Sequence, residues 1–209
     1  MVLLLPVYQP SSHLPLLVSR VDCPVVVVDD GSTPPVGGLP CTVLRHAQNL
    51  GKGAALRTGL RHIAGTYPGE DVVCADADGQ HDVADIMAVA DRVRETGHTV
   101  LGVRRVRHMP WRSQVGNALT RLLFRATTGR SVRDTQTGLR GYPAELIPWL
   151  LTIPGDRFEY EMNALMAAAR EGHPYTQVEI ATTYLDGNAS SHFGAVGDAL
   201  RVYRSLLRF

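Results

Sequence analysis

Two acids close an apolar run in Val72-Val73-Cys74-Ala75-Asp76-Ala77-Asp78-Gly79-Gln80-His81, and this stretch carries the most pointed chemistry in the chain. Side chains two apart on an extended backbone share a side, so Asp76 and Asp78 face each other with no Lys or Arg between them. A divalent cation would relieve that repulsion and bridge to a phosphate. Mg²⁺ typically takes one or two carboxylates plus substrate phosphates. Gln80 offers a neutral amide oxygen, and His81 suits a hydrogen-bonding or substrate-facing role better than ligation. Acid pairs of this spacing are common in polar loops, so the weight falls on the motifs around it.

Asp29-Asp30-Gly31-Ser32 is a second acidic strand end. A fixed carboxylate there could accept the imide N–H of uracil or the N1–H and amino group of guanine. The competing reading is an Asp that caps the following turn. Tyr8 could lie near the base. Asn49-Leu50-Gly51-Lys52-Gly53 places two glycines and the only lysine of the chain at a helix start. That resembles a phosphate-binding nest and lacks the spacing of a Walker A loop. Arg104, Arg105, Arg107, His108 and Arg112 form a basic cluster that could neutralise a diphosphate or an anionic acceptor. Asp134, followed by Thr135, Thr137 and Arg140, could act as general base on an acceptor oxygen or orient the acceptor. Glu159 and Glu161 fall in a predicted helix and read as structural, and 187–193 reads as a polar loop that could close over a donor.

These residues need a scaffold. Val2–Leu5, Pro24–Val28, Thr42–Leu44, Asp71–Ala75 and Thr99–Val103 read as strands, and Val25–Val28 has the continuous β-branched run of a strand covered on both faces. Helical patterns run from Ser11 or Ser12 to about Arg20, Gly51 to about Ala64, and Val83 to Thr96. The alternation predicts an α/β fold with a mostly parallel sheet. Polar motifs follow three strands, and ligands of open parallel sheets bind at that carboxyl edge. Later helices are expected at Ser113–Thr128 and Phe158–Ala169, a strand at Gln177–Tyr184, and an amphipathic helix from about Val196 to Phe209.

The totals set bounds. The chain has 209 residues, 44% hydrophobic and 20% charged, with net charge +1, which suits one globular domain and gives no electrostatic argument for nucleic acid. Three cysteines, an odd number, have spacings that fit neither a zinc knuckle nor a redox pair, and a reducing compartment is the simplest reading. No basic leader and no run of ~18 apolar residues stands out, so the expectation is a cytoplasmic protein whose membrane dealings are peripheral or through a separate membrane-protein partner.

Taken together, Pro6-Val7-Tyr8, Val28–Ser32, Asn49–Gly53, Asp76–His81 and Asp134–Arg140 resemble family 2 glycosyltransferases, in particular the polyprenyl-phosphate sugar synthases. The resemblance spans nearly the whole chain. It implies a single GT-A domain, Rossmann-like, with a nucleotide-sugar-binding half (1–105) and an acceptor half (106–209). It implies inverting transfer from GDP-mannose or a UDP-hexose to an acceptor, foremost a polyprenyl phosphate at the cytoplasmic face of a membrane. Pro6, Tyr8, Asp29, Asp30, Lys52, Asp76, Ala77 and Asp78 would hold the donor. Asp76, Asp78 and Gln80 would hold Mg²⁺ or Mn²⁺, Asp134, Arg104 and Arg112 would be catalytic, and Arg140, Ser191 and His192 would serve the acceptor. Two departures stand out: Gln9-Pro10 replaces the usual Asn-Glu pair, and 186–193 lacks the usual basic residues. A sugar-1-phosphate nucleotidyltransferase would show a Gly-rich, Arg-containing loop after the first strand, which is absent here. A glycan or small-molecule acceptor, or a non-catalytic sugar-nucleotide-binding protein, are the alternatives.

Overall fold

The computed structural model describes residues 1–104 and 111–181, with the side chains of 111–113 left aside. Seven strands form one sheet: β1 (Val2–Val7), β2 (Val25–Asp29), β3 (Thr42–Arg45), β4 (Val72–Cys74), β5 (Thr99–Arg104), β6 (Arg140–Tyr142) and β7 (Tyr175–Ile180). The helices are α1 (His13–Arg20), α2 (Lys52–Thr66), α3 (Val83–Thr96), α4 (Trp111–Thr128), α5 (Ile147–Leu150) and α6 (Glu159–Glu171). The strand order is β3-β2-β1-β4-β6-β5-β7. Every pairing is parallel except those of β6, which runs antiparallel to both β4 and β5.

The central strands read as unbroken apolar runs because both faces are covered. Along β1, Val2 and Leu4 join the core under α2, α5 and α6, while Leu3, Leu5 and Val7 join the one under α1 and α3. Emptying either core is costly: Leu4→Ala or Leu5→Ala, both fully buried, should cost about 2–5 kcal/mol. A third cluster of Leu101, Phe124, Met162, Leu165 and Met166 seats α4 and α6 beside β5.

β2, β1 and β4 are neighbours, so the three motif-bearing strand ends share one edge, as the alternation led us to expect. β6 was not expected: Asp134–Tyr142 read as a turn-rich segment. Its three residues become a strand by wedging between β4 and β5.

The three cysteines are unpaired. Burial, and next the Glu161 carboxylate, push the Cys74 thiol up to about 12, so almost no nucleophilic thiolate exists at neutral pH. A maleimide should modify half-buried Cys23 and Cys41 in the native protein and reach Cys74 only after denaturation. Native-state labelling of Cys74, read by mass spectrometry, would contradict this packing.

Candidate active site

Lys52 is the hub of the site. It opens α2, and its ammonium lies 2.7 Å from Asp76 Oδ1 and 2.9 Å from Glu161 Oε2. Three distant segments therefore meet on one cation: the loop after β4, the start of α2, and the first turn of α6. Burial pulls the Lys52 pKa down, but the attraction of Asp76 and Glu161 more than reverses this, and Lys52 stays charged beyond the ordinary lysine range. Phe158 places its ring 5.9 Å from the same ammonium.

The two acids after β4 have opposite leanings. Burial would raise the Asp76 pKa, yet Lys52 and then His81 hold it below the usual carboxylate range. Asp78 is raised, by burial first and by the Asp76 charge second, against the opposing pull of the Gln80 N–H. Lys52 thus compensates Asp76 and leaves much of the Asp78 repulsion standing. His81 is buried, its Nδ1 finds no hydrogen-bond partner among the described residues, and burial lowers its pKa against the attraction of Asp76 and Asp78. No group of three or more His, Cys, Asp or Glu gathers as a metal cluster among the described residues.

Glycine geometry protects this arrangement at two positions. Gly51 has φ +104° and carries the chain into α2 against the carbonyl of Asp156. Gly138 approaches Asp76 so closely that a Cβ there would strike the carboxylate. Gly138→Ala should therefore displace Asp76 without removing any charged group. We expect turnover to fall at least about tenfold with the fold retained, and unchanged kinetics would contradict the contact.

A cleft of about 760 Å³ lies along the edge, lined among others by Pro6, Tyr8, Asp30, Lys52, Asp76, Ala77 and Asp78. Arg157 and Phe158, ahead of α6, also line it, and sequence reasoning missed both. Gly51 and Gly53 were the only local hint, since each packs against residues of 155–160.

Other expected site residues have protein partners. Asp29 is fully buried; its Oδ1 accepts the Ser32 N–H at 2.8 Å and its Oδ2 the Val36 N–H at 3.0 Å, with Arg45 at 3.7 Å. Its side chain shapes the turn that follows, with both oxygens engaged by main-chain N–H groups. Asp30 both lines the cleft and holds it, accepting the N–H groups of Leu50 and Gly51 and meeting His46 Nδ1 at 2.7 Å. Asp134 is fully buried, and Arg104 grips both its oxygens, Nε at 2.6 Å and Nη2 at 3.0 Å. A carboxylate so enclosed is placed to fix an arginine, not to stand open as a base. Arg140, expected near an acceptor, is instead buried and donates to the carbonyls of Thr135, Thr137 and Glu161. Glu161, expected to be structural, reaches Lys52. The Gln80 main-chain N–H bonds Asp78. Arg105, Arg107, His108, the Arg112 side chain, Ser191, His192 and the helix expected at Val196–Phe209 lie outside the described residues.

Comparisons with known proteins give the family and the fold. The model of glycosyl transferase family 2 matches residues 18–142. The chain belongs to that family. Among its relatives, the Methanocaldococcus jannaschii protein MJ1222 is 30% identical over 79% of this chain and 72% of its own. A polyprenol monophosphomannose synthase of Mycolicibacterium smegmatis is 26% identical over 92% of this chain and 80% of its own. Among solved structures, a Mycobacterium tuberculosis glucosyl-3-phosphoglycerate synthase in complex with Mn²⁺, UDP and glucosyl-3-phosphoglycerate superposes with TM-score 0.71 at 20% identity. That match covers 99% of this chain and 78% of that one, and it shows that this family 2 glycosyltransferase has the GT-A fold. No helix among the described residues is long and apolar enough to cross a membrane.

Proposed function

We propose that this glycosyltransferase moves a sugar from a nucleotide sugar to a polyprenyl phosphate, with Mg²⁺ or Mn²⁺ bound at Asp76 and Asp78. The donor diphosphate lies along the cleft at the ends of β1, β2 and β4, beside Lys52, Tyr8 and Asp30. The donor set fits a hard cation: two carboxylates two residues apart, one of them with its pKa raised by burial and then by its neighbour's charge. When bound, such a cation neutralises charge on the departing diphosphate. Lys52 adds a fixed positive charge there and keeps Asp76 ionised.

The acceptor reading rests on α4. Val115, Leu119 and Leu122 lie along one side of it and are 61%, 44% and 65% exposed. No acid occurs between Glu95 and Asp134, while eight arginines fall from Arg104 to Arg133 inclusive. An apolar ridge on an arginine-rich stretch of the sequence suits an apolar chain with an anionic head. The name of the mycobacterial relative points the same way. Arg104, aligned by Asp134, receives the acceptor phosphate. A phosphate oxygen is already ionised, so it attacks the anomeric carbon without a base. The bond from that carbon to the diphosphate oxygen breaks, and the nucleoside diphosphate leaves with the electron pair.

The test is release of nucleoside diphosphate from GDP-mannose, UDP-glucose or UDP-N-acetylglucosamine, with Mg²⁺ or Mn²⁺, with and without a short polyprenyl phosphate. Release that needs both metal and lipid phosphate is expected. Release to a water-soluble acceptor that the lipid phosphate does not stimulate would overturn the acceptor assignment and leave the enzyme class intact.

A further inference from the structure

The buried side of α4 is unusual for a core helix. Among its apolar anchors sit two polar residues, Asn117 and Thr120, only 2% and 1% exposed. A buried amide persists where its hydrogen bonds are made, and those of Asn117 are specific. Its Oδ1 accepts from both the N–H and the hydroxyl of Thr135 at 3.1 Å, and its Nδ2 donates to the Arg133 carbonyl at 3.4 Å. One side chain therefore clamps the residues on either side of Asp134. Thr120 Oγ1 meets the Thr135 hydroxyl at 2.7 Å, and Arg121 Nε donates to the Val132 carbonyl at 3.1 Å. From the opposite side, Arg140 Nη2 holds the Thr135 carbonyl at 3.1 Å. The peptide units flanking Asp134 are thereby fixed before its carboxylate grips Arg104.

We infer that Asn117 is a positioning residue for Arg104, acting through Thr135 and Asp134. An apolar side chain of the same size would fill the space as well. What the amide adds over such a side chain is a donor and an acceptor on separate atoms, which suits a clamp reaching a carbonyl on one side of Asp134 and an N–H on the other. Satisfied polar networks specify one arrangement where apolar packing tolerates several. The orientation of the Arg104 guanidinium is thus set by α4, the same helix that carries the exposed apolar ridge. The inference rests on the proposed role of Arg104 with the acceptor phosphate.

The test needs no turnover. Farnesyl phosphate binding is measured by calorimetry on the wild-type chain, Asn117→Ala, Arg104→Gln and the double variant, with Mn²⁺-dependent UDP and GDP binding as the control. Asn117→Ala should weaken farnesyl phosphate about tenfold, leave nucleotide binding within about twofold, and add nothing in the Arg104→Gln background, the non-additivity expected of residues acting as one unit. Thr135→Val, which keeps the shape and loses the hydroxyl, should show the same split and stands in if Asn117→Ala does not fold. Additive losses, or equal losses of nucleotide and farnesyl phosphate, would make Asn117 merely structural. If Arg104→Gln weakens farnesyl phosphate and neither Asn117→Ala nor Thr135→Val does, this inference alone falls. If Arg104→Gln changes nothing, or the wild-type chain does not bind farnesyl phosphate, the acceptor reading falls and takes the inference with it.

Discussion

Asp78→Asn should all but stop sugar transfer while making the metal-free protein more stable at neutral pH. The two effects share one cause. Asp78 faces the Asp76 charge in a partly buried site, and its pKa is raised. A raised carboxyl pKa means that the folded state holds its proton more tightly than the unfolded chain does. The associated stability is present below the ordinary carboxylate range and lost as pH rises through the folded value. At neutral pH an ionised Asp78 therefore works against the fold until a cation joins it. Asparagine removes the repulsion and the cation site together. Turnover should fall on the order of 10²–10³-fold, the scale of losing one electrostatic contact to the developing charge. In thermal melts, Mn²⁺ should raise the Tm of the wild-type protein, less so as pH falls and protons compete for Asp78, and should leave Asp78→Asn unmoved. Equal metal stabilisation of both proteins would place the cation elsewhere.

Lys52→Met should be the most damaging single change to the site as a structure. It leaves Asp76 and Glu161 facing one another with no cation between them, and both Lys52 and Glu161 are nearly buried. Breaking a buried pair from one side costs about 3–5 kcal/mol. For a domain of this size each kcal/mol is worth about 2–4 °C, so Tm should drop by roughly 10 °C. Lys52→Arg should not rescue it, because the guanidinium fork suits one carboxylate held bidentately rather than two on separate elements. The pH dependence has the opposite sign to that of Asp78. The Lys52 pKa lies above its unfolded value, so its contribution is complete at and below the ordinary lysine range and fades only as pH climbs through the higher folded value. The deficit of Lys52→Met should thus be constant from neutral to mildly alkaline buffers and shrink in mild acid, where one of the two facing carboxylates takes up a proton. A deficit that vanished near neutrality would contradict the charge pairing.

The sequence disclosed the α/β alternation because the buried strands are β-branched and the helices periodic. Val83–Thr96 is a helix with those very ends, bounded by Asp82 accepting the Val83 N–H and by left-handed Gly97. The shared edge of Asp30, Lys52, Asp76 and Asp78 was also legible, since strand ends announce themselves locally. Direction was not. Nothing local tells whether Asp29 or Asp134 turns toward a ligand or toward protein groups, although Asp29 with Ser32 three residues on has the spacing of a side-chain-capped turn. Partners far along the chain were equally hidden: Glu161 meets Lys52 from 109 residues away, and Arg140 finds its carbonyls only because β6 is wedged into the sheet. Nothing in the sequence singles out Asn117 within α4, because its partners, Arg133 and Thr135, lie beyond the end of that helix.

The acids after β4 should hold a nucleoside diphosphate through a divalent cation. Calorimetric titration of UDP and GDP into the wild-type protein and Asp78→Asn, with and without Mn²⁺, tests it most directly. One of the two nucleotides should bind the wild-type protein only with Mn²⁺, and neither should bind Asp78→Asn measurably. Tight binding without metal that Asp78→Asn leaves unchanged would contradict the account.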